Sequence, residues 1–70
     1  MKTETMREYG DRVRATIDGW TDKQLGQRMR LLSNWAGAAD RMFWAAQFGQ
    51  PITDEMRDDV YTAGEAVLNA

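Results

Sequence analysis

The sequence predicts an all-α protein, a small three-helix bundle with a long central helix. Three observations carry that prediction. Apolar residues recur at spacings of three and four along most of the chain. Helix caps and stops divide it at Gly19–Thr21 and between Gly49 and Thr53. No stretch alternates Val or Ile with polar residues, so there is no strand signal.

The first helix is expected over about residues 3–18. Met6, Tyr9, Val13, Ile17 and Trp20 form a narrow stripe along it. The opposite face is charged, and Arg7–Asp11, Glu8–Arg12 and Arg14–Asp18 stand one turn apart as candidate ion pairs. Gly19 is the expected stop.

The second helix is expected over residues 21–48. Thr21 and Gln24 form a capping box and Asp22 sits at the positive end of the dipole. Gly49 followed by Pro51 ends it. At about 27 residues it would span about 40 Å, which is long for this chain. Its weakest point is the segment 33–37, where Ser33 or Asn34 could cap a new helix, so a break there is the alternative to a continuous helix. Leu25, Leu32, Trp35, Ala39, Met42, Phe43 and Ala46 fall within roughly a third of its circumference and make the expected core arc.

The third helix is expected over about residues 54–69, with Thr53 as N-cap and Asp54 and Glu55 in its first turn. Met56, Val60, Ala63 and Val67 form its stripe, flanked by Tyr61 and Leu68. Gly64 interrupts it at a cost of about 1 kcal/mol relative to Ala, which points to a close approach by a neighbouring helix. Short connections favour antiparallel neighbours.

Composition narrows the function classes. With 70 residues the chain is expected to be a single domain, residues 1–70, and marginally stable unless packing or oligomerisation helps it. It has no Cys and no His. Disulfides, thiolate metal sites and Glu-x-x-His metal bundles are therefore ruled out, and no EF-hand spacing is present. No cofactor and no metal are expected. Nucleophilic catalysis has little material, since Ser33 is the one serine and has no evident base. The expectation is a protein that is not an enzyme.

Net charge is −2. Residues 1–48 hold eight basic against six acidic side chains, and residues 49–70 hold one against five. That balance argues against a general polyanion binder. The one basic concentration, Arg14, Lys23, Arg28 and Arg30, lacks a helix-turn-helix pattern and a stacking platform. No apolar run reaches the length of a membrane span, and the first ten residues lack the apolar stretch of a signal peptide. A cytoplasmic protein is expected.

Trp44 and Phe48 are the anomaly. One turn apart, they point nearly opposite to the core arc, and Gly37 and Arg41 share their side. Trp and Arg are the residues most enriched at interface hot spots, and Arg41 could stack on the Trp44 indole. Gly26, Ser33 and Gly37 leave a shallow groove along this face, with Arg30 on its edge. Arg30, Gly37, Arg41, Trp44 and Phe48 are the candidate partner-binding residues. Three occupants fit: another helix of the same molecule, a second copy, or a larger protein. Arg28 is the mirror case, directed into the apolar arc, and is expected to snorkel or to pair with Asp18 or Asp59. Asp54, Glu55, Asp58 and Asp59 form an acidic surface that is either a solvated face or a means of steering a basic partner.

In size, acidic balance and helical make-up the chain resembles many small phage and mobile-element inhibitors, anti-CRISPR proteins among them, and small bacterial regulators. That resemblance rests on general properties and on no motif. It implies a small protein-binding module that occupies a surface on a larger protein. A structural homodimer, in which two long second helices pack together, is a second reading. A weak nucleic-acid binder working through Arg14, Lys23 and Arg30 is a third.

Overall fold

A computed structural model describes residues 3–70. The protein is all-α, with four helices and no strand among the described residues. They are α1 (Met6–Asp18), α2 (Asp22–Gln27), α3 (Met29–Gln47) and α4 (Asp54–Leu68).

Local chemistry sets most of these boundaries. α1 begins later than the periodicity suggests, because Thr5 caps it. The Thr5 hydroxyl accepts from the Glu8 N–H at 3.1 Å, and the Glu8 carboxylate accepts from the Thr5 N–H at 3.3 Å. Glu8 is thereby committed to the cap rather than to Arg12. Arg12 instead reaches back to Glu4, with two contacts of 3.0 Å. None of the three ion pairs expected on this helix is among those described. Thr21 and Gln24 form the expected capping box at the start of α2, and Thr53 caps α4 through the Met56 N–H.

The long second helix is divided, but at Arg28 rather than within 33–37. Arg28 has φ −113° and ψ 23°, closes α2 and opens α3 without a side-chain cap. Gly26 weakens helix propagation just before it. The Arg28 guanidinium lies over the Trp20 ring, 4.8 Å from its centroid. It pairs with neither Asp18 nor Asp59, because stacking on the indole at the α1–α2 corner holds it there. Ser33 and Asn34 lie inside an unbroken α3.

α3 stops at Gln47, and just beyond it Gly49, with a φ of +68°, lets the chain turn back. The Gln50 N–H bonds to the Ala45 carbonyl at 2.8 Å and the Gly49 N–H to that of Ala46 at 3.3 Å, the paired bonds of a Schellman turn.

Packing differs from the expected plan. α4 is the helix packed on both α3 and α1, most extensively on α3. The core holds Tyr9 and Val13 of α1, Ala38 of α3, and Val60 and Val67 of α4. Met6, Ile17, Trp20, Leu31, Trp35, Met42, Ala63 and Leu68 close around them. The stripes read for the first and last helices therefore face the core. That of α3 is rotated from its expected position. Ala38 and Ala45 are buried, whereas Phe43 and Ala46 of the expected arc are exposed and Leu32 and Ala39 are half-buried. The close approach expected at Gly64 is real and comes from α1. A Cβ at Gly64 would lie 2.5 Å from the Tyr9 hydroxyl oxygen.

The result is a flat molecule of 38 × 30 × 17 Å. Its radius of gyration is 12.7 Å, against roughly 11 Å expected for a folded chain of this length.

Candidate functional site

α3 is amphipathic in two directions. One side packs on α4 and turns toward α1, and the side beyond α4 is left open. Gly37, Arg41, Trp44 and Phe48 lie on that open side within about 60° of one another, and Arg30 continues the line. All five are exposed.

The aromatic end of this face is well defined. Trp44 is 55% exposed and Phe48 70% exposed. Their rings stack in near-parallel planes, 14° apart with centroids at 5.4 Å. Phe43, 57% exposed, meets the Trp44 ring edge-on at 6.2 Å. Three aromatic rings thus form one exposed cluster on the last turns of α3. This disposes of the reading in which α1 or the last helix covers Trp44 and Phe48. Both side chains stand more than half exposed, so neither helix covers them.

Phe43 was not readable as part of the cluster. It lies at the margin of the apolar arc, and only the path of α1 decides whether that margin is covered. α1 leans on α4, so a groove of about 580 Å³ remains between α1 and α3. Met6, Gly10, Met42, Phe43 and Ile52 are among its walls.

Arg41 does not stack on Trp44. Its guanidinium turns toward α4 and comes within 3.8 Å of the Asp59 carboxylate, both side chains being substantially exposed. A pair so long and so wet contributes at most about 1 kcal/mol. Between α3 and α4 it borders a cleft of about 350 Å³, walled by the polar Ser33, Asn34, Asp59 and Thr62 and by the small Gly37, Ala38, Ala63 and Ala66. Gly37 opens onto this surface, and nothing lies within 4 Å of where its Cβ would be. Gly26 does not continue the groove, because the break at Arg28 places it on a separate helix.

The acidic residues Asp54, Glu55 and Asp58 are exposed on the first turns of α4, and Asp59 is half-buried beside Arg41. Arg14, Lys23 and Arg30 are also exposed, on three different helices. Among the described residues no three His, Cys, Asp or Glu side chains are placed to hold a metal ion, and no helix is long and apolar enough to cross a membrane.

The strongest pKa displacement lies away from this face. Burial pushes the Tyr9 phenol up to about 12, helped by its hydrogen bond to Glu65. The Tyr9 O–H is shared between the Glu65 carboxylate at 3.1 Å and the Tyr61 carbonyl at 3.2 Å. On the outside of α1, the hydrogen bond from Arg12 holds the Glu4 carboxyl below its usual range. Among the described residues no buried side-chain polar atom lacks a partner, so no orphaned group is aimed at a ligand. No protein-family model, curated protein or solved structure matches this chain.

Proposed function

We propose that the chain is a non-enzymatic protein-binding module and that it binds through the open face of α3. The observation that carries this reading is the stacked Trp44–Phe48 pair, with Phe43 against it, standing in solvent on a helix whose other side is packed. Burying a large aromatic side chain is worth about 1.5–3 kcal/mol, and this fold leaves that gain unused at three adjacent rings. A rigid aromatic anchor beside an arginine is the composition of an interface hot spot. The chemistry of the chain points the same way, since it supplies neither His nor Cys for catalysis.

The finer form of the reading is an inhibitor, a chain that covers a surface of a larger protein as small phage inhibitors such as anti-CRISPR proteins do. It draws on the exposed acids Asp54, Glu55 and Asp58 on the first turns of α4. Acids there would speed encounter with a basic surface.

The test compares the wild type with a Trp44→Ala, Phe48→Ala double variant. Each tagged chain captures proteins from a bacterial lysate to which an untagged copy of the wild type has been added, and the eluates are read by mass spectrometry. The double variant is expected to keep its helical circular dichroism and to lose the captured protein. A double variant that unfolds would make the rings structural. One that captures the same protein as the wild type would place the binding surface elsewhere.

A further inference from the structure

We infer that the occupant of the α3 face is a second copy of this chain, related by a two-fold axis that runs between the two α3 helices, perpendicular to both and level with the step from Met42 to Phe43, so that the two helices run antiparallel. This rests on the reading above, that the open face of α3 is a protein-binding surface.

The first observation is the amount of surface. The molecule exposes 5340 Å², whereas a folded monomer of 8.0 kDa is expected to expose roughly 4,450 Å². The excess of about 900 Å² matches one partner's share of a standard interface, about 800 Å². Its source is the flat shape, 17 Å through its thinnest direction. Pairing through the α3 face would add a second layer and cover an area of that order on each copy.

The second observation is self-complementarity along one helix. Phe48 is the most exposed large apolar side chain among the described residues, and Gly37 is an open gap on the same face. Phe48 cannot fill that gap within its own chain, because the two lie on one helix about 16 Å apart along its axis. A second copy can fill it. Gly37 and Phe48 share a midpoint with Arg41 and Trp44, between Met42 and Phe43. A two-fold axis at that midpoint sets each Phe48 over the mate's Gly37 and each Trp44 over the mate's Arg41. Such an interface is isologous, the same patch on both subunits. The glycine gap allows the helices to approach closely enough for the rings to reach.

The third observation concerns charge. A two-fold axis perpendicular to α3 keeps α4 on the same side in both copies. Each Arg41 is then brought beside the mate's Asp59 as well as its own. Its present contact with Asp59, at 3.8 Å and largely in solvent, leaves its donors free for this. A parallel pairing would instead set Phe48 on Phe48 and Gly37 on Gly37, leaving knobs and gaps unmatched.

Sedimentation equilibrium of the full chain from about 1 to 500 μM tests the proposal. The expected result is a concentration-dependent rise to twice the mass of 8.0 kDa. At Gly37 a Cβ would meet nothing within 4 Å, so Gly37→Leu fills the gap with no clash at its point of attachment. Gly37→Leu and Trp44→Ala should each raise the dimer dissociation constant roughly tenfold or more, with helical circular dichroism retained. Register is read by oxidation of single cysteines, because the chain has none of its own. Arg41→Cys lies beside the axis and should form a disulfide-linked dimer, and Gly37→Cys should not. A monomeric mass at every concentration would overturn the proposal, as would a dimer indifferent to Gly37→Leu, or cross-linking at position 37 in preference to 41. A monomer whose Trp44→Ala, Phe48→Ala variant stays folded and loses a captured cellular protein would leave the binding face standing with a different occupant.

Discussion

Tyr9 and Trp44 are both aromatic, both on helices, and each is one turn from another aromatic or apolar side chain. Tyr9 is 2% exposed and Trp44 is 55% exposed. The difference lies in where each finds its small counterpart. Tyr9 of α1 meets Gly64 of α4, so a gap on one helix receives a ring from another and the two helices approach closely. Tyr61 and Trp35 close around the ring, with centroids 4.8 and 6.3 Å away. Trp44 and Phe48 have a glycine on their own face, Gly37, but it belongs to the same helix. No folding of this chain can bring the one onto the other. A ring and a gap on different helices make a core joint, whereas a ring and a gap on one helix make an unfilled surface.

The sharpest way to break this comparison is to fill both gaps. At Gly64 a new Cβ would sit 2.5 Å from the Tyr9 oxygen and 2.7 Å from its ring. Tyr9 cannot swing away, because its hydroxyl is held by two acceptors and its ring by neighbours on two other helices. Gly64→Ala should therefore cost about 2–3 kcal/mol net of the helix-propensity gain. For a chain this size that lowers Tm by at least about 10 °C. Gly37→Ala meets nothing, so at dilutions where the chain is monomeric it should raise stability by up to about 1 kcal/mol. Thermal melts followed by circular dichroism check both. The opposite roles of the two glycines would be refuted by shifts of the same sign.

Much of that asymmetry was legible in the sequence. The close approach at Gly64 follows from a glycine costing helix stability where nothing else explains it, and 3.6-residue periodicity sets Trp44 and Phe48 opposite the expected core arc, although it does not say whether another helix of the chain covers them. The caps at Thr21 and Thr53 and the stop at Gly49 were legible for the same local reasons. What was not legible depends on tertiary geometry. The break at Arg28 depends on Trp20 offering a face for the guanidinium, a contact between elements that no spacing rule reports. The rotation of the α3 core arc toward Ala38 and Ala45 arises because α4 seats on small residues. Alanine has little hydrophobic weight in a periodicity count, yet it permits the closest helix packing. Phe43 was misplaced for the converse reason, since its large apolar side chain dominates the count while α1 leans away from it. Thr5 as the cap of α1 was readable from Thr5 and Glu8 three residues apart, and the apolar stripe beginning at Met6 agrees with it.

The next prediction sharpens the buried half of the comparison. Tyr9→Phe keeps the ring in its socket and removes the hydroxyl bonded to Glu65 and Tyr61. The expected cost is about 1–2 kcal/mol at neutral pH. The pH dependence gives an independent reading. The Tyr9 pKa is raised from 10.0 to about 12 on folding. The native state therefore holds this proton where the unfolded state has lost it. The contribution to stability is fully present below pH 10 and declines as pH rises toward 12. Denaturant melts of the wild type across that window should show a steeper loss than those of Tyr9→Phe. Parallel profiles for the two proteins would mean the phenol is not the group that titrates.

The smallest expected effect belongs to the open half. Arg41 and Asp59 approach to 3.8 Å with both side chains largely wet, and pairs of this kind contribute little to folding. Arg41→Ala should change the stability of the monomer by less than about 0.5 kcal/mol, read by denaturant melts at the lowest workable concentration. If the residue serves only as a solvated partner for Asp59, nothing else should change. If the α3 face pairs with a second copy, Arg41 lies under the mate's Trp44. Its loss would then weaken association several-fold while leaving the monomer unaltered. The residue with the least effect on the fold thus separates the two halves of the molecule most cleanly, because any sizeable effect it has must come from outside its own chain.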